Sequence, residues 1–469
     1  MRLFFALTIL ALALIGAFLF FLRGYARTPK PMGNAAANPS PDWIKSAVIY
    51  EVFLRNFSSD GTFKAAEERL ESLKQLGATV VWLMPIHPIG KLKRKGSLGS
   101  PYSVKDYFDV NSEHGTKEDF KRFVHAAHAL ELKVVMDFVG NHTAWDCPLV
   151  QERPDFYAKD KKGNIVSPND QWTDVAQLDY KNPDVRAYFA NALKTWVKEF
   201  DVDGFRCDVA EAIPSDFWQA TIAELRQIKP DLLMLAESTL PEHHVVGFDL
   251  TYSWNVHGAL LDIVKGKKPA HYLDEVLENE EKVFAKHSLR LRFNSNHDLA
   301  LEHGPPVEAF GGSDGAKATA TLVFTMGGYG TIRSVPLLYN GDDIGYSKRI
   351  SLFEKDPIDW NAPRAEEFRT FYRNLIWLRK THPALVHGAM EKVKSSNDEA
   401  IYAFIRSTAE DKVLVVVNLR NAPFTGYLRL EPNQTLYDFF ESERQFATKD
   451  GNLKLALNPF EFKCLVFKP

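Results

Sequence analysis

Three carboxylates in this chain close apolar runs in which a charge has no ordinary place. Asp208 ends "GFRCD" (204–208), Glu237 ends "LLMLAE" (232–237) and Asp298 ends "NSNHD" (294–298). A fourth, Asp137, follows "KVVM" and precedes Asn141 and His142. Taking a charge out of water costs several kcal/mol unless it is well paired. Like charges gathered in one cavity repel each other, so such a set calls for a purpose beyond stability. Two carboxylates about 5 Å apart on either side of a glycosidic bond can run a double displacement, one as nucleophile and the other as general acid, then base. The two must differ in protonation. Side chains alternate along a strand, so Arg206 and Asp208 look into one space while Phe205, Cys207 and Val209 face away. The pair reads either as a structural salt bridge or as a nucleophile that its arginine keeps ionised. Glu237 follows a wholly apolar stretch, and poor solvation there raises a carboxylate towards neutrality, which suits an acid. Asp298 is left to bind sugar hydroxyls and to stabilise a positively charged transition state. His142 and His297 can each donate to a hydroxyl, although a lone histidine is more often structural.

Groups so far apart in sequence need a frame that brings strand ends together. From Trp43 onward, short β-rich runs alternate with amphipathic helical stretches, the pattern of a parallel sheet with crossover helices. Eight runs qualify: 47–53, 79–85, 133–139, 202–208, 232–238, 247–252, 289–295 and 335–341. Eight strands over about 300 residues predict an α/β fold, a closed (β/α)₈ TIM barrel, whose active sites lie at the C-terminal strand ends. An open doubly wound sheet would need a glycine-rich phosphate loop after its first strand, and none is present. Asp137 and Asp208 lie 71 positions apart against 29 between Asp208 and Glu237. One βα unit takes roughly 30 residues, so a small inserted domain is predicted over 143–182, after strand 3. Beyond residue 383 helical spacing disappears and short alternating runs predict a separate antiparallel β domain, a sandwich over 384–469.

The four strand endings "DFVGNH" (137–142), "GFRCD" (204–208), "AES" (236–238) and "NSNHD" (294–298) resemble, in order, the four short motifs of the α-amylase family of glycoside hydrolases (family 13). The stretch from "AVIYEVFLRNFS" to "PLLYNGDDIG" is similar to that family's layout, and the resemblance covers about residues 43–469. It implies Asp208 as nucleophile, Glu237 as acid/base and Asp298 as transition-state stabiliser. It also implies Tyr102, in "SPYSVKDY", as a stacking platform beneath the reacting sugar, with His142, Arg206 and His297 as substrate-binding residues. The "CDVAEAIP" stretch resembles the cyclomaltodextrinase and neopullulanase branch more than long-chain starch enzymes. Calcium-binding members often carry a histidine four residues after the nucleophile and an aspartate in a "PDL"-like segment. Ala212 and Gln177 stand at those positions here, although Asn141 remains. The expectation is no cofactor and no metal ligand set, with calcium the doubtful alternative.

The implied function is a retaining hydrolase of α-1,4-glucosidic bonds in malto-oligosaccharides, cyclodextrins or starch-like substrates. A transglycosylase on the same site differs only in what resolves the covalent intermediate. A binding-only reading, like that of the membrane-anchored heavy chains of amino-acid transporters, is disfavoured because those lack the complete acidic set. Composition agrees with a neutral substrate: 57 Lys and Arg stand against 60 Asp and Glu over 469 residues, which points away from nucleic acid. Three scattered cysteines make no disulfide framework. The cluster Lys91, Lys93, Arg94, Lys95 reads as a solvated loop. Residues 3–22 form an uncharged apolar run, so 1–26 is expected to be a signal or membrane anchor, and 27–42 a flexible or extended linker. The protein is therefore expected to work outside the cytoplasm, with membrane attachment if the segment stays uncleaved. Oligomeric state stays open.

Overall fold

The computed structural model describes residues 29–441 and 444–468, so the apolar run at 3–22 lies outside the described residues. Among the described residues no helix is long and apolar enough to cross a membrane. Eight parallel strands close into a barrel: β1 (Ile49–Val52), β2 (Val80–Leu83), β3 (Lys133–Val139), β6 (Gly204–Asp208), β7 (Leu233–Ala236), β8 (Leu250–Tyr252), β9 (Leu289–Phe293) and β10 (Arg333–Tyr339). β1 pairs with both β2 and β10, which removes every sheet edge. The alternation of side chains divides each strand between two environments. On β2, Val80 and Trp82 fill the barrel interior while Val81 and Leu83 pack outward against the helical layer. Phe205 and Cys207 of β6 join that outer layer, which turns Arg206 and Asp208 inward. Gly204 opens the same strand because a Cβ there would lie 2.2 Å from the Leu233 carbonyl oxygen.

Between β3 and the helix Pro183–Phe200 the chain leaves the barrel and forms a small two-stranded unit, β4 (His142–Ala144) antiparallel to β5 (Val175–Gln177). The basic loop after β2 is exposed at Lys91 and Lys93, as expected of a solvated loop, and it also touches the inserted unit. The Lys91 amide donates to Asp146, the Lys93 ammonium lies 3.4 Å from the Trp145 ring centroid, and Lys95 pairs with Asp174 at 3.1 Å. Lys93 and Lys95 hold the inserted unit through an aromatic and an acidic group that only the fold brings near.

Residues 32–38, within the expected linker, lie against the barrel: the chain turns at Gly33, where φ is 58°, and then runs on past the carbonyls it binds. The Met32 and Ala37 amides donate to the carbonyls of Val283 and Lys286, and the Asn38 amide to that of His244. Extended backbone next to exposed carbonyls gains hydrogen bonds that composition does not reveal.

The C-terminal part has a six-stranded sheet ordered β11 (Ala389–Lys392), β12 (Ile401–Ser407), β13 (Lys412–Asn418), β18 (Phe462–Phe467), β15 (Thr435–Asp438), β16 (Gln445–Ala447). It faces the two-stranded antiparallel sheet of β14 (Phe424–Arg429) and β17 (Asn452–Leu457) across a core that includes Ile401, Leu414, Val416, Leu428 and Leu455. One buried arginine, Arg406, binds it to the barrel, and a second, Arg379, gathers barrel carbonyls beside the same helix end. Arg406 on β12 donates to the Thr325 and Gly388 carbonyls at 2.7 and 3.0 Å. Arg379 donates to those of Phe324, Leu385 and Ser334. Phe324 and Thr325 end the helix Ser313–Thr325, so these guanidiniums satisfy carbonyls that the helix leaves without partners.

Candidate active site

Arg206 is the hub. It is fully buried, and its Nη1 donates to Asp208 Oδ1 at 2.9 Å and to Asp137 Oδ1 at 3.0 Å, while Nη2 lies 2.8 Å from Glu237 Oε2. Its Nε donates to the Tyr252 hydroxyl at 3.1 Å. The sequence pairs the arginine with Asp208 alone; in the fold it serves three carboxylates, because β3, β6 and β7 lie side by side. Every ring around it is apolar or phenolic: Trp82, Tyr102 and Tyr252 each place their centroids within 5.7 Å of the guanidinium carbon.

Each carboxylate then has its own surroundings. Burial is the main influence on Asp208 and lifts it to about 6, with Arg206 pulling it down and Asp137 and Asp298 pushing it up. Glu237 is lifted further, to about 7, again chiefly by burial and then by its acidic neighbours against the pull of Arg206. The arginine therefore moderates the nucleophile candidate without returning it to the ordinary carboxylate range. Glu237 also accepts the Val209 amide at 2.8 Å. That amide is aimed by a kink: Val209 takes a φ of 42°, a left-handed conformation that a β-branched residue adopts only where the surroundings demand it.

Asp298 lies in the first turn of the short helix His297–Glu302 after β9, and its side chain is the most accessible of the set at 42 % exposed. Tyr102 lies on the loop after β2, donates to Asp137 Oδ2 at 3.0 Å and stacks on the His297 ring at 5.1 Å between centroids. His142 stands to one side on β4, its ring 5.5 Å from that of Trp172, and burial lowers it to about 4, so it is a neutral imidazole at working pH.

The structure thus gathers Asp208, Glu237, Arg206, Tyr102, His297 and Asp298 into one connected set, with His142 on its flank. Two further members join them: Asp137, noticed from the sequence but given no role there, and Glu51, which was not singled out. Asp137 closes the arginine's third side, and burial lifts it to about 6. Glu51, on β1, is fully buried 2.5 Å from His297 Nδ1. A lone acid inside the apolar "VIYEVF" carried the same signal as the arginine in "GFRCD".

Around the inserted unit, Gln177 sits directly opposite His142 in the β4–β5 ladder, Asp174 is taken by Lys95, and Ala212 offers no side-chain ligand. Among the described residues no group of three or more His, Cys, Asp and Glu side chains is arranged to hold a metal ion.

A closed parallel barrel that presents its acidic groups at the C-terminal strand ends has the frame of a (β/α)₈-barrel enzyme. Residues 51–413 match the model of the alpha amylase catalytic domain, and residues 390–464 that of the maltogenic amylase C-terminal domain. The chain belongs to the alpha-amylase family of glycoside hydrolases. The crystal structure of a noncanonic maltogenic alpha-amylase, AmyB of Thermotoga neapolitana, superposes with a TM-score of 0.81 at 30 % identity, covering 91 % of this chain and 99 % of that one. Alpha-amylase MalA of Haloarcula japonica is 27 % identical over 91 % of this chain, which spans 63 % of that protein's length. The maltogenic alpha-amylase of Bacillus acidopullulyticus is 24 % identical over 91 % of this chain and 78 % of its own length.

Proposed function

We propose that the chain is a retaining α-glucan hydrolase that cleaves α-1,4-glucosidic bonds in malto-oligosaccharides, cyclodextrins or starch-like substrates. The observation that carries this reading is the shared guanidinium: Asp208 and Glu237 bind the two terminal nitrogens of Arg206, which holds two carboxyl groups of different proton affinity side by side. The ionised Asp208 attacks the anomeric carbon while Glu237 gives its proton to the departing glycosidic oxygen. Glu237, now a base, takes a proton from the water that releases the sugar from Asp208. Asp298 lies against the positive charge that develops on the ring, and Tyr102 offers its face to the sugar. With a sugar hydroxyl in place of water the same steps would make a transglycosylase. The relatives named maltogenic support a short malto-oligosaccharide product.

The test is incubation with maltoheptaose, β-cyclodextrin and pullulan separately, followed by chromatography and proton NMR of the first product. The expected product has the α configuration; initial β product would mean inversion and overturn the double displacement. Products longer than the substrate would identify the transglycosylase.

The pH profile follows from the same pair. Activity needs Asp208 ionised and Glu237 protonated, so kcat/KM should peak between about 6 and 7, falling on the acid side as Asp208 takes a proton and on the alkaline side as Glu237 loses one. A profile that stays flat from about pH 5 to about pH 8.5 would separate these groups from the chemistry.

The reading includes no calcium. Calcium wants six to eight oxygen ligands with several carboxylates or carbonyls converging, and the inserted unit offers a neutral amide at Gln177 and a lysine on Asp174. Chelation in the same assays is expected to change little. The apolar run at 3–22 supports export, and we propose that the enzyme works outside the cytoplasm.

A further inference from the structure

We infer that Glu51, beneath the site on β1, is a positioning residue that keeps His297 in its doubly protonated form, so that Nδ1–H is tied below and Nε2–H is presented to the substrate side. The inference rests on the reading above of His297 as a substrate contact.

Glu51 Oε1 lies 2.5 Å from Nδ1, and among the described residues its other oxygen has no hydrogen-bond partner. The carboxylate is fully buried, and among the described residues the imidazole is its one ion-pair partner. On the far side of the ring, Nε2 faces the Tyr102 hydroxyl at 2.8 Å and Asp298 Oδ2 at 3.3 Å. A carboxylate on each side leaves both ring nitrogens with an acceptor, which is satisfied only when both carry protons. Tyr102 and the edge of Trp82 fix the ring plane.

The charged and titratable groups around the imidazole are Glu51 from β1, Tyr102 from the loop after β2, Asp137 from β3, Arg206 from β6 and Asp298 on its own helix. Tyr339 of β10 stands near Glu51 and Asp298. Burial alone would lower His297, and Arg206 adds to that, but Asp298 and Glu51 outweigh both and raise it to about 9. A single neutral tautomer would have to choose between the support below and the sugar above; the imidazolium serves both.

The test is Glu51→Gln in the full chain, a substitution of equal shape that removes the charge. Imidazole NMR titration, with the His297 signal assigned by its loss in His297→Gln, should move the midpoint from about 9 to below about 7. In the assay with maltoheptaose, the ratio of variant to wild-type kcat/KM should stay within about threefold at about pH 5, where His297 still carries both protons, and fall at least about fivefold further at about pH 8. A packing role for Glu51 predicts the same loss at both pH values, and that outcome, or an unmoved titration, overturns the inference. The titration needs no turnover, so it separates this result from a failure of the hydrolase reading, which an inactive wild type would show. If Glu51→Gln melts below assay temperature, Glu51→Asp, which keeps the charge, should hold the His297 midpoint above about 8; a fall to the ordinary value would count against the inference.

Discussion

Asp208→Asn should leave a folded protein whose turnover of maltoheptaose falls by about four powers of ten. An amide keeps the shape and can still accept from Arg206 Nη1, so the strand end stays in place, but it cannot form the glycosyl ester on which the second step acts. The stability effect has a definite sign. Burial raises Asp208 from the ordinary carboxylate value to about 6. The native state therefore binds a proton that the unfolded chain has already released between about pH 4 and about pH 6, and stability falls as pH rises through that window. The ionised side chain thus costs on the order of 2–3 kcal/mol at neutral pH, which the amide does not. The variant should accordingly melt no lower than wild type at neutral pH, and its relative advantage should shrink as pH falls through that window and be gone below about pH 4. Retention of more than about a tenth of wild-type activity would remove Asp208 from the nucleophile's role.

Glu237→Gln should cost about three powers of ten on maltoheptaose and far less on α-maltosyl fluoride. A sugar leaving group needs a proton as the bond breaks, whereas fluoride leaves readily without one, so the loss of a general acid is visible only with the first substrate. The carboxamide oxygen of that variant can still accept the Val209 amide, which argues for a folded product. Asp208→Asn, in contrast, should be inactive on both substrates because the nucleophile is needed whatever departs. Equal losses on the two substrates for Glu237→Gln would show that Glu237 does something other than protonate the leaving group.

The barrel was legible because its strands are dense in Val, Ile and Leu and because alternation makes an inward charge conspicuous in such a run. All eight predicted runs overlap β1, β2, β3, β6, β7, β8, β9 and β10. Arg206 was conspicuous because a second charge stood two residues away on its own face. Glu51 gave the same signal singly, and its partner lies 246 positions further on, so nothing local distinguished it from an unremarkable acid. The strands β11, β15, β16 and β17 did not stand out for a different reason. They are short and half exposed, and their stability comes from neighbours such as β12, β18 and β14, with which they form ladders. The contacts of the solvated basic loop after β2 were hidden for the same cause: charge patterning reports which cations are present, and only the fold supplies Trp145 and Asp174 to Lys93 and Lys95, and Asp146 to the Lys91 amide.

Arg406, which closes the helix Ser313–Thr325, makes the C-terminal sheet part of the barrel's own fabric. Arg406 lies on a strand of one domain, yet the carbonyl it binds most closely belongs to the other. A Cβ on Gly327 would come within 3.0 Å of that guanidinium, so the junction has no slack to admit a spacer. Cutting the gene between the two domains would take the Arg406 donor from the Thr325 carbonyl, leaving only Arg379 on that of Phe324, and would expose the apolar surface around the helix end. An engineer seeking a minimal catalyst, or a chimera with another family's appendage, should therefore treat residues 313–406 as one indivisible cassette and place any junction elsewhere.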